Sequence, residues 1–164
     1  MKFSEFNYQR PAMKKIQEKF RQETAKFISA ADYASQSMAI KQINFLRNKF
    51  ESMQTIAQIR HSIDKNDKFY EQEQDFFDEN SPLYQELISE YYKALVSSKF
   101  RKELERDWGE RIFSIAELTL KTFSPEIIKE LQLENKLSSE YTKLVKLKRM
   151  SFVDNIRKKM QEQK

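Results

Sequence analysis

Apolar side chains recur along most of the chain at steps of three and four residues, which is the spacing of one face of an α-helix. This pattern predicts a helix over residues 11–30, where Pro11 suits the first helical position because its missing N–H would be unpaired there anyway. A stronger pattern predicts a second helix from about residue 36 to residue 63. Its repeating apolar positions are Ile43, Leu46, Phe50, Met53 and Ala57, with Ile40 and Ile56 at the edges. The DKND sequence that follows, at 64–67, is typical of a turn and a helix cap.

Two Ser-Pro pairs predict further helix starts, because serine caps exposed N–H groups and proline fits the first helical turn. The NSP sequence at 80–82 is expected to end one aromatic-rich helix and to begin another. The second pair, at 124–125, is expected to begin a helix in the same way. Between the two pairs, Gly109 is predicted to end a helix with a positive φ angle.

The last segment, from about Ser138, is long, basic and amphipathic. No stretch of useful length alternates apolar and polar residues, and the chain has only one glycine and three prolines for turns. The sequence therefore predicts an all-α bundle of about seven or eight helices. With 164 residues, the chain is long enough to form one domain with a substantial core.

Charge changes this picture only at the C-terminal end. The chain has a formal net charge of +5, with 30 basic and 25 acidic side chains. Eight of the basic side chains but only two of the acidic ones lie between Tyr141 and Lys164, so the rest of the chain is nearly neutral. A basic amphipathic tail is suited to acidic surfaces, but the neutral remainder disfavours nucleic-acid binding by the domain as a whole.

Several classes of function are excluded by residues that the sequence lacks. The chain has no cysteine, which excludes disulfides and thiolate chemistry. No glycine-rich phosphate loop, nucleophile elbow or His-Glu-x-x-His motif occurs. The first ten residues lack the apolar part of a secretory signal, and no 18 apolar residues run together. We therefore expect a cytoplasmic protein without a membrane span.

The only histidine, His61, lies between Arg60 and Asp64 at the predicted end of the second helix. On a helix, Asp64 is three residues after His61 and four after Arg60, so its carboxylate can reach either side chain. One histidine without cysteine is a poor metal site, because zinc in hydrolases usually takes several such ligands. We therefore interpret Arg60, His61 and Asp64 as a structural ion-pair cluster or a partner contact. No catalytic, cofactor-binding or metal-binding residue is assigned.

An acid-rich stretch, YEQEQDFFDENSP, follows in the third predicted helix. Its carboxylates are Glu71, Glu73, Asp75, Asp78 and Glu79. Paired carboxylates can perform acid–base chemistry when their environments differ, but these alternate with glutamines as on a solvated helix face. The aromatic residues between them recur at helical spacing, and we interpret them as core rather than as a platform for nucleic-acid bases.

A set of ungapped sequence blocks resembles the N-terminal part of oligoendopeptidase F-like zinc metallopeptidases, of the thimet-oligopeptidase class. The blocks are MKFSEFNYQRP, RNKFESMQTIAQIRHSID, NDKFYEQEQDFFDENSPLYQEL, YYKAL, SKFRKELERDWGERIFSIAELTLKTFSPEII and LQLENKLSSEYTKL. They occur in the expected order from Met1 to about Leu144. The resemblance therefore predicts an oligoendopeptidase F-like N-terminal helical domain at 1–144 and a basic, helical tail at 145–164 that is unlike the family.

The resemblance implies a largely helical peptidase with a deep channel that admits short peptides. In the family, a His-Glu-x-x-His helix and a downstream glutamate hold zinc in the C-terminal part, and the glutamate of the motif activates water. No position of this chain matches that motif, so no zinc ligand or catalytic residue is carried over. We expect the chain to be truncated before the catalytic domain and to have no peptidase activity alone. A gene remnant explains the tail better than a deliberate cut, which would leave family-like sequence to the last residue.

Two alternatives remain open at this point. The chain is either the channel-wall portion of a peptidase or a non-catalytic helical module that binds peptides or proteins, with a nucleic-acid-binding tail as a weaker third reading. The expected partners are the missing catalytic domain or a second copy of the chain, since an isolated wall domain exposes apolar surface.

Overall fold

A computed structural model of the chain describes residues 6–161, without the side chains of residues 147 and 155–161. The helices are α1 (Met13–Ser29), α2 (Tyr33–Ile63), α3 (Lys68–Val96), α4 (Arg101–Trp108), α5 (Arg111–Thr122) and α6 (Ile128–Gln161), with a 3₁₀-helix at Pro125–Ile127. No strand occurs within residues 6–161, which confirms the predicted all-α class. The first five residues of the MKFSEFNYQRP block and the last three of the predicted tail lie outside the described residues.

The helices begin and end where side chains satisfy their free backbone groups. Asp32 caps α2 by accepting a hydrogen bond from the Ser35 N–H at 2.7 Å. Asp67 caps α3 by accepting from the Phe69 N–H at 2.9 Å, which confirms the cap predicted in DKND. Gly109 ends α4 with a φ of 83°, also as predicted.

The central helix is α3, which packs against α1, α2, α5 and α6. Its buried face meets those of α1 and α2 in an aromatic core, and the ring of Phe50 stacks on that of Tyr84 at a centroid distance of 4.1 Å. The ring of Tyr91 makes edge-to-face contacts with the rings of Phe20 and Phe27. The fully buried aromatic residues of this core are Phe20, Phe27, Phe50, Phe77, Tyr91 and Phe113. The predicted aromatic core is thereby confirmed.

Within residues 6–161 there are six α-helices rather than the predicted seven or eight, because two predicted breaks do not occur. Helix α3 continues through Pro82, since Phe77 before it and Tyr84 after it are buried in the same core. Burial of these large side chains outweighs the one backbone hydrogen bond that proline removes. Ser81 does not cap a helix there, and its hydroxyl accepts instead from Gln54 Nε2 at 2.8 Å.

The second missing break concerns the C-terminal segment. Ser124 does cap the predicted start, but what begins there is the 3₁₀-helix, and α6 then runs without interruption from Ile128 to Gln161. Residues 145–161 of the predicted basic tail belong to α6. The boundary at residue 144 stays a prediction.

Candidate functional site at the junction of the N-terminal segment, α2, α3 and α6

The first turns of α3 hold a carboxylate that is almost completely buried. Glu73 is 1% exposed and accepts hydrogen bonds from Arg10, whose Nη2 lies 2.6 Å from Oε1 and whose Nε lies 2.9 Å from Oε2. The hydroxyl of Tyr8 donates to the same carboxylate. Burial and this hydrogen bond raise the pKa of Tyr8 far above its usual range, so the phenol keeps its proton. The cluster Tyr8–Arg10–Glu73 thus attaches the N-terminal segment to α3.

The predicted solvated face of the acid-rich stretch is therefore wrong for Glu73. The position lies within the aromatic stripe of α3, and the stripe faces the core, so the carboxylate is buried with it. A buried charge is stable only when it is paired and hydrogen-bonded, and here Arg10 and Tyr8 supply both conditions. Arg10 also lies over the Phe76 ring, 5.1 Å from its centroid.

Two other carboxylates of the stretch bind side chains of α6. Glu71 accepts from Lys143 of α6 at 2.8 Å and from Lys68 of its own helix at 2.9 Å. These two hydrogen bonds lower the pKa of Glu71 to about 2, while the bond to Glu71 raises the pKa of Lys143. Asp78 accepts from the Ser139 hydroxyl at 2.6 Å, although burial is the main influence on its pKa and raises it.

The proline of α3 explains a second set of contacts with α6. Because Pro82 has no N–H, the carbonyl of Asp78, four residues earlier, loses its helical partner. The Asn135 side chain donates to that carbonyl at 3.2 Å, and the Gln132 side chain donates to the neighbouring Glu79 carbonyl at 2.8 Å. The Asn135 amide therefore satisfies the carbonyl that Pro82 leaves without a helical partner, and the Gln132 amide adds a second bond beside it.

The three residues predicted as one cluster face different parts of this junction. Arg60 donates from Nη2 to the Phe6 carbonyl at 2.6 Å, and it lies over the Tyr70 ring. Asp64 accepts from the Asn66 N–H at 2.9 Å, which closes the turn after α2. The Asp64 carboxylate therefore binds the backbone of the turn.

His61 lies on the inner side of α2, where it is 8% exposed and its Nδ1 atom has no hydrogen-bond partner. Burial lowers its pKa, and Lys65 and Lys143 lower it further, while Glu71 and Asp75 act in the opposite direction. The imidazole is therefore a neutral packing group near pH 7. A contact of Arg60, His61 or Asp64 with a partner stays a prediction.

The residues that sequence reasoning missed share one feature: each satisfies a polar group that another element buries. Glu73 could have been found, because it falls within an apolar stripe and must have a partner there. Arg10 and Asn135 had no such signal, since both lie more than 50 residues away from the group they satisfy.

Comparisons with known proteins agree with this architecture. The family model of the peptidase M3 N-terminal domain matches residues 3–123, most of the chain. The chain belongs to the peptidase M3 N-terminal domain family. The resemblance inferred from the sequence blocks is thereby confirmed. Among curated proteins, none matches this M3 N-terminal domain.

Three solved structures resemble the M3 N-terminal domain in sequence and fold. PZ peptidase A, in a structure with an inhibitor, is 55% identical with a TM-score of 0.85 over 88% of the chain. Two proteins assigned as oligoendopeptidase F are 51% and 48% identical, with TM-scores of 0.85 and 0.83 over 88% and 87% of the chain. The second of these comes from Bacillus anthracis str. Ames. The chain spans 26% of the length of each of the three.

The residues of the M3 N-terminal domain do not fit the zinc that the resemblance implies. Within the described residues, no group of three or more His, Cys, Asp or Glu side chains is placed to hold a metal ion. The full sequence has one histidine and no cysteine. In the same part of the chain, no helix is both long enough and apolar enough to cross a membrane.

Proposed function

We propose that the chain is the N-terminal, channel-wall portion of an oligoendopeptidase F-like zinc metallopeptidase that hydrolyses short peptides. The observation that supports this function is the similarity to PZ peptidase A, at 55% identity and a TM-score of 0.85. At that level of similarity, two chains share a fold in detail, so the role of the matched portion is expected to be shared as well.

In this proposal the described residues shape and hold a wall, and they perform no bond-breaking step. The Tyr8–Arg10–Glu73 cluster fixes the N-terminal segment, and the amides of Gln132 and Asn135 fix α6 against α3. Zinc, when bound, would polarise the peptide carbonyl and activate water, with ligands outside these 164 residues. We expect the chain alone to be inactive and to reside in the cytoplasm.

Two assays with a quenched fluorogenic oligopeptide test the proposal. The purified chain with added zinc is expected to release no fluorescence, and zinc-dependent, chelator-sensitive cleavage would contradict this. A chimaera in which the chain replaces the matched portion of PZ peptidase A is expected to cleave the same peptide. The PZ peptidase A remainder without any N-terminal portion serves as the control.

A second candidate is a helical module that binds peptides or proteins without chemistry. A groove of about 610 Å³ between α3 and α6 favours it, because Asp75, Asp78 and Lys143 bring charges of both signs to its walls. Pull-downs at increasing salt, with the chain intact or ended at residue 144, separate this binding from attraction by the basic tail. Attraction by the tail weakens steeply with salt.

A further inference from the structure

Helix α6 meets the rest of the protein through polar side chains. Among the described side chains of α6 after Leu131, those that face the domain are half-buried and polar: Gln132, Asn135, Ser139, Lys143 and Lys146. Three of them hydrogen-bond to Asp78 or Glu79, and Lys143 pairs with Glu71. No described side chain of α6 is fully buried. The usual arrangement of a surface helix, with apolar residues inward, is thus reversed.

The opposite side of α6 carries a row of exposed apolar residues. We call this row the α6 stripe, and it consists of Leu133, Leu137, Tyr141 and Leu144, which are 57%, 54%, 69% and 64% exposed. At about 100° per residue, Leu137, Tyr141 and Leu144 lie roughly opposite the polar contacts with α3. Leu133 lies at the edge of the row, since it also lines the groove between α3 and α6. Phe152, 66% exposed, extends the stripe along the same side.

The stripe also reaches past the body of the domain. Lys143 of α6 pairs with Glu71, which lies one turn from the beginning of α3 at Lys68. The two helices run antiparallel, so α6 projects beyond α3 for most of the residues from 147 to 161, roughly 20 Å at 1.5 Å per residue. Side chains 148–154 are all exposed. A row of exposed apolar residues along one side of a helix indicates an interaction site.

We infer that the α6 stripe is the docking surface for the remaining, catalytic portion of an M3 peptidase chain. The inference rests on the proposed function. It is supported by the length of the relatives, of which the matched part is 26%, so that the remainder of each relative is about three times as long as this domain. Polar contacts with α3 and apolar contacts with a second body make α6 a middle layer between two packed units.

The test uses the absence of cysteine from the natural chain, so that one introduced thiol reports on one position. Leu137→Cys places the thiol in the stripe. Ser138→Cys, at the next residue, which is also exposed, is the matched control. The maleimide-labelling rate at each position is measured by peptide mass mapping in the isolated chain and in the PZ peptidase A chimaera. Docking is expected to slow labelling at residue 137 by about tenfold or more in the chimaera, and to change residue 138 less.

The outcomes separate the inference from the function on which it rests. Equal labelling of residue 137 in the isolated chain and in the chimaera would overturn the docking surface, even if the chimaera is active. Protection of residue 137 in the isolated chain that rises with protein concentration would also overturn it, because the stripe would then bind a second copy. An inactive wild-type chimaera would overturn the proposed function, while labelling still reports whether the stripe is covered.

Discussion

The buried carboxylate of Glu73 gives the sharpest test of how the domain is held together. Glu73→Gln keeps the size of the side chain but replaces one carboxylate oxygen with an N–H₂ group. That group meets the guanidinium of Arg10, which donates to both oxygens at 2.6–3.0 Å in the wild type. The substitution therefore removes charge-assisted hydrogen bonds at a site that is 1% exposed.

The expected loss in the free energy of unfolding is about 2 kcal/mol, within the 1.5–3 kcal/mol typical of a hydrogen bond to a charged group. It falls below the roughly 3–5 kcal/mol lost when a fully buried ion pair is broken. The reason is that the Arg10 side chain is 48% exposed, so water solvates the guanidinium once its partner is gone. For a chain of this size, such a loss lowers Tm by about 4–8 °C.

Glu71→Gln is the matched control, because it makes the same change two residues earlier on α3. Glu71 pairs with Lys68 and Lys143 at the surface, and surface ion pairs contribute little to stability. Urea unfolding followed by circular dichroism measures both variants against the wild type. Equal losses for the two variants, or a Glu73→Gln protein as stable as the wild type, would refute the reasoning from burial.

Three further predictions concern other parts of the fold. Burial and two lysines depress the pKa of His61 below the 6.5 of an unfolded chain, so the fold is stabilised at pH 7, where His61 is neutral, and this contribution is lost as pH falls below 6.5. His61→Gln should therefore reduce the change in the urea unfolding midpoint between pH 7.5 and pH 5.5. The same pH dependence in the variant and the wild type would contradict this. Asn135→Ala leaves the Asp78 carbonyl unpaired and should cost about 1 kcal/mol in urea unfolding, against no loss for Glu134→Ala on the same helix. Gly109→Ala should lower the free energy of unfolding by about 1–3 kcal/mol, because φ 83° and ψ 151° are strained for a residue with a side chain. An added Cβ meets no atom within 4 Å, so no steric clash adds to this strain. An unchanged Tm in thermal melts would refute it.

Periodicity was enough to predict α1 and α2, two of the helices that form the core. The stripe from Ile43 to Ala57 predicts α2 because its apolar positions must face one side of a helix, and the structure buries that side. The helix end at Gly109 and the helix cap in DKND were equally predictable from the sequence, since each depends only on neighbouring residues. Local rules of this kind do not depend on what packs from a distance.

The sequence misled where a local signal competed with tertiary packing. Pro82 has the residues of a helix start around it, but buried Phe77 and Tyr84 on either side hold α3 in one piece. The neighbours of Glu73 are acids and glutamines, which predicts an exposed side chain, whereas its partner Arg10 is 63 residues away. Which distant side chain satisfies a buried group depends on how the helices pack, and no short stretch of sequence contains that information.

The α6 stripe illustrates the opposite case, in which the pattern was visible but its direction was not. Leu137, Tyr141 and Leu144 have helical spacing and would ordinarily be assigned to the core. Only the contacts of Asn135 and Ser139 with α3 reveal that the polar face points inward. A domain that is part of a larger body can present apolar residues outward without conflict.

Peptide cleavage by the PZ peptidase A chimaera tests the central claim most directly. If the chain is the N-terminal portion of an oligoendopeptidase F-like peptidase, kcat/KM for a quenched fluorogenic oligopeptide should stay within about tenfold of the parent enzyme, a barrier change of about 1.4 kcal/mol or less. The cleavage should be abolished by a zinc chelator and restored by added zinc. A chimaera that is folded and yet cleaves no faster than the remainder without an N-terminal portion would contradict the claim.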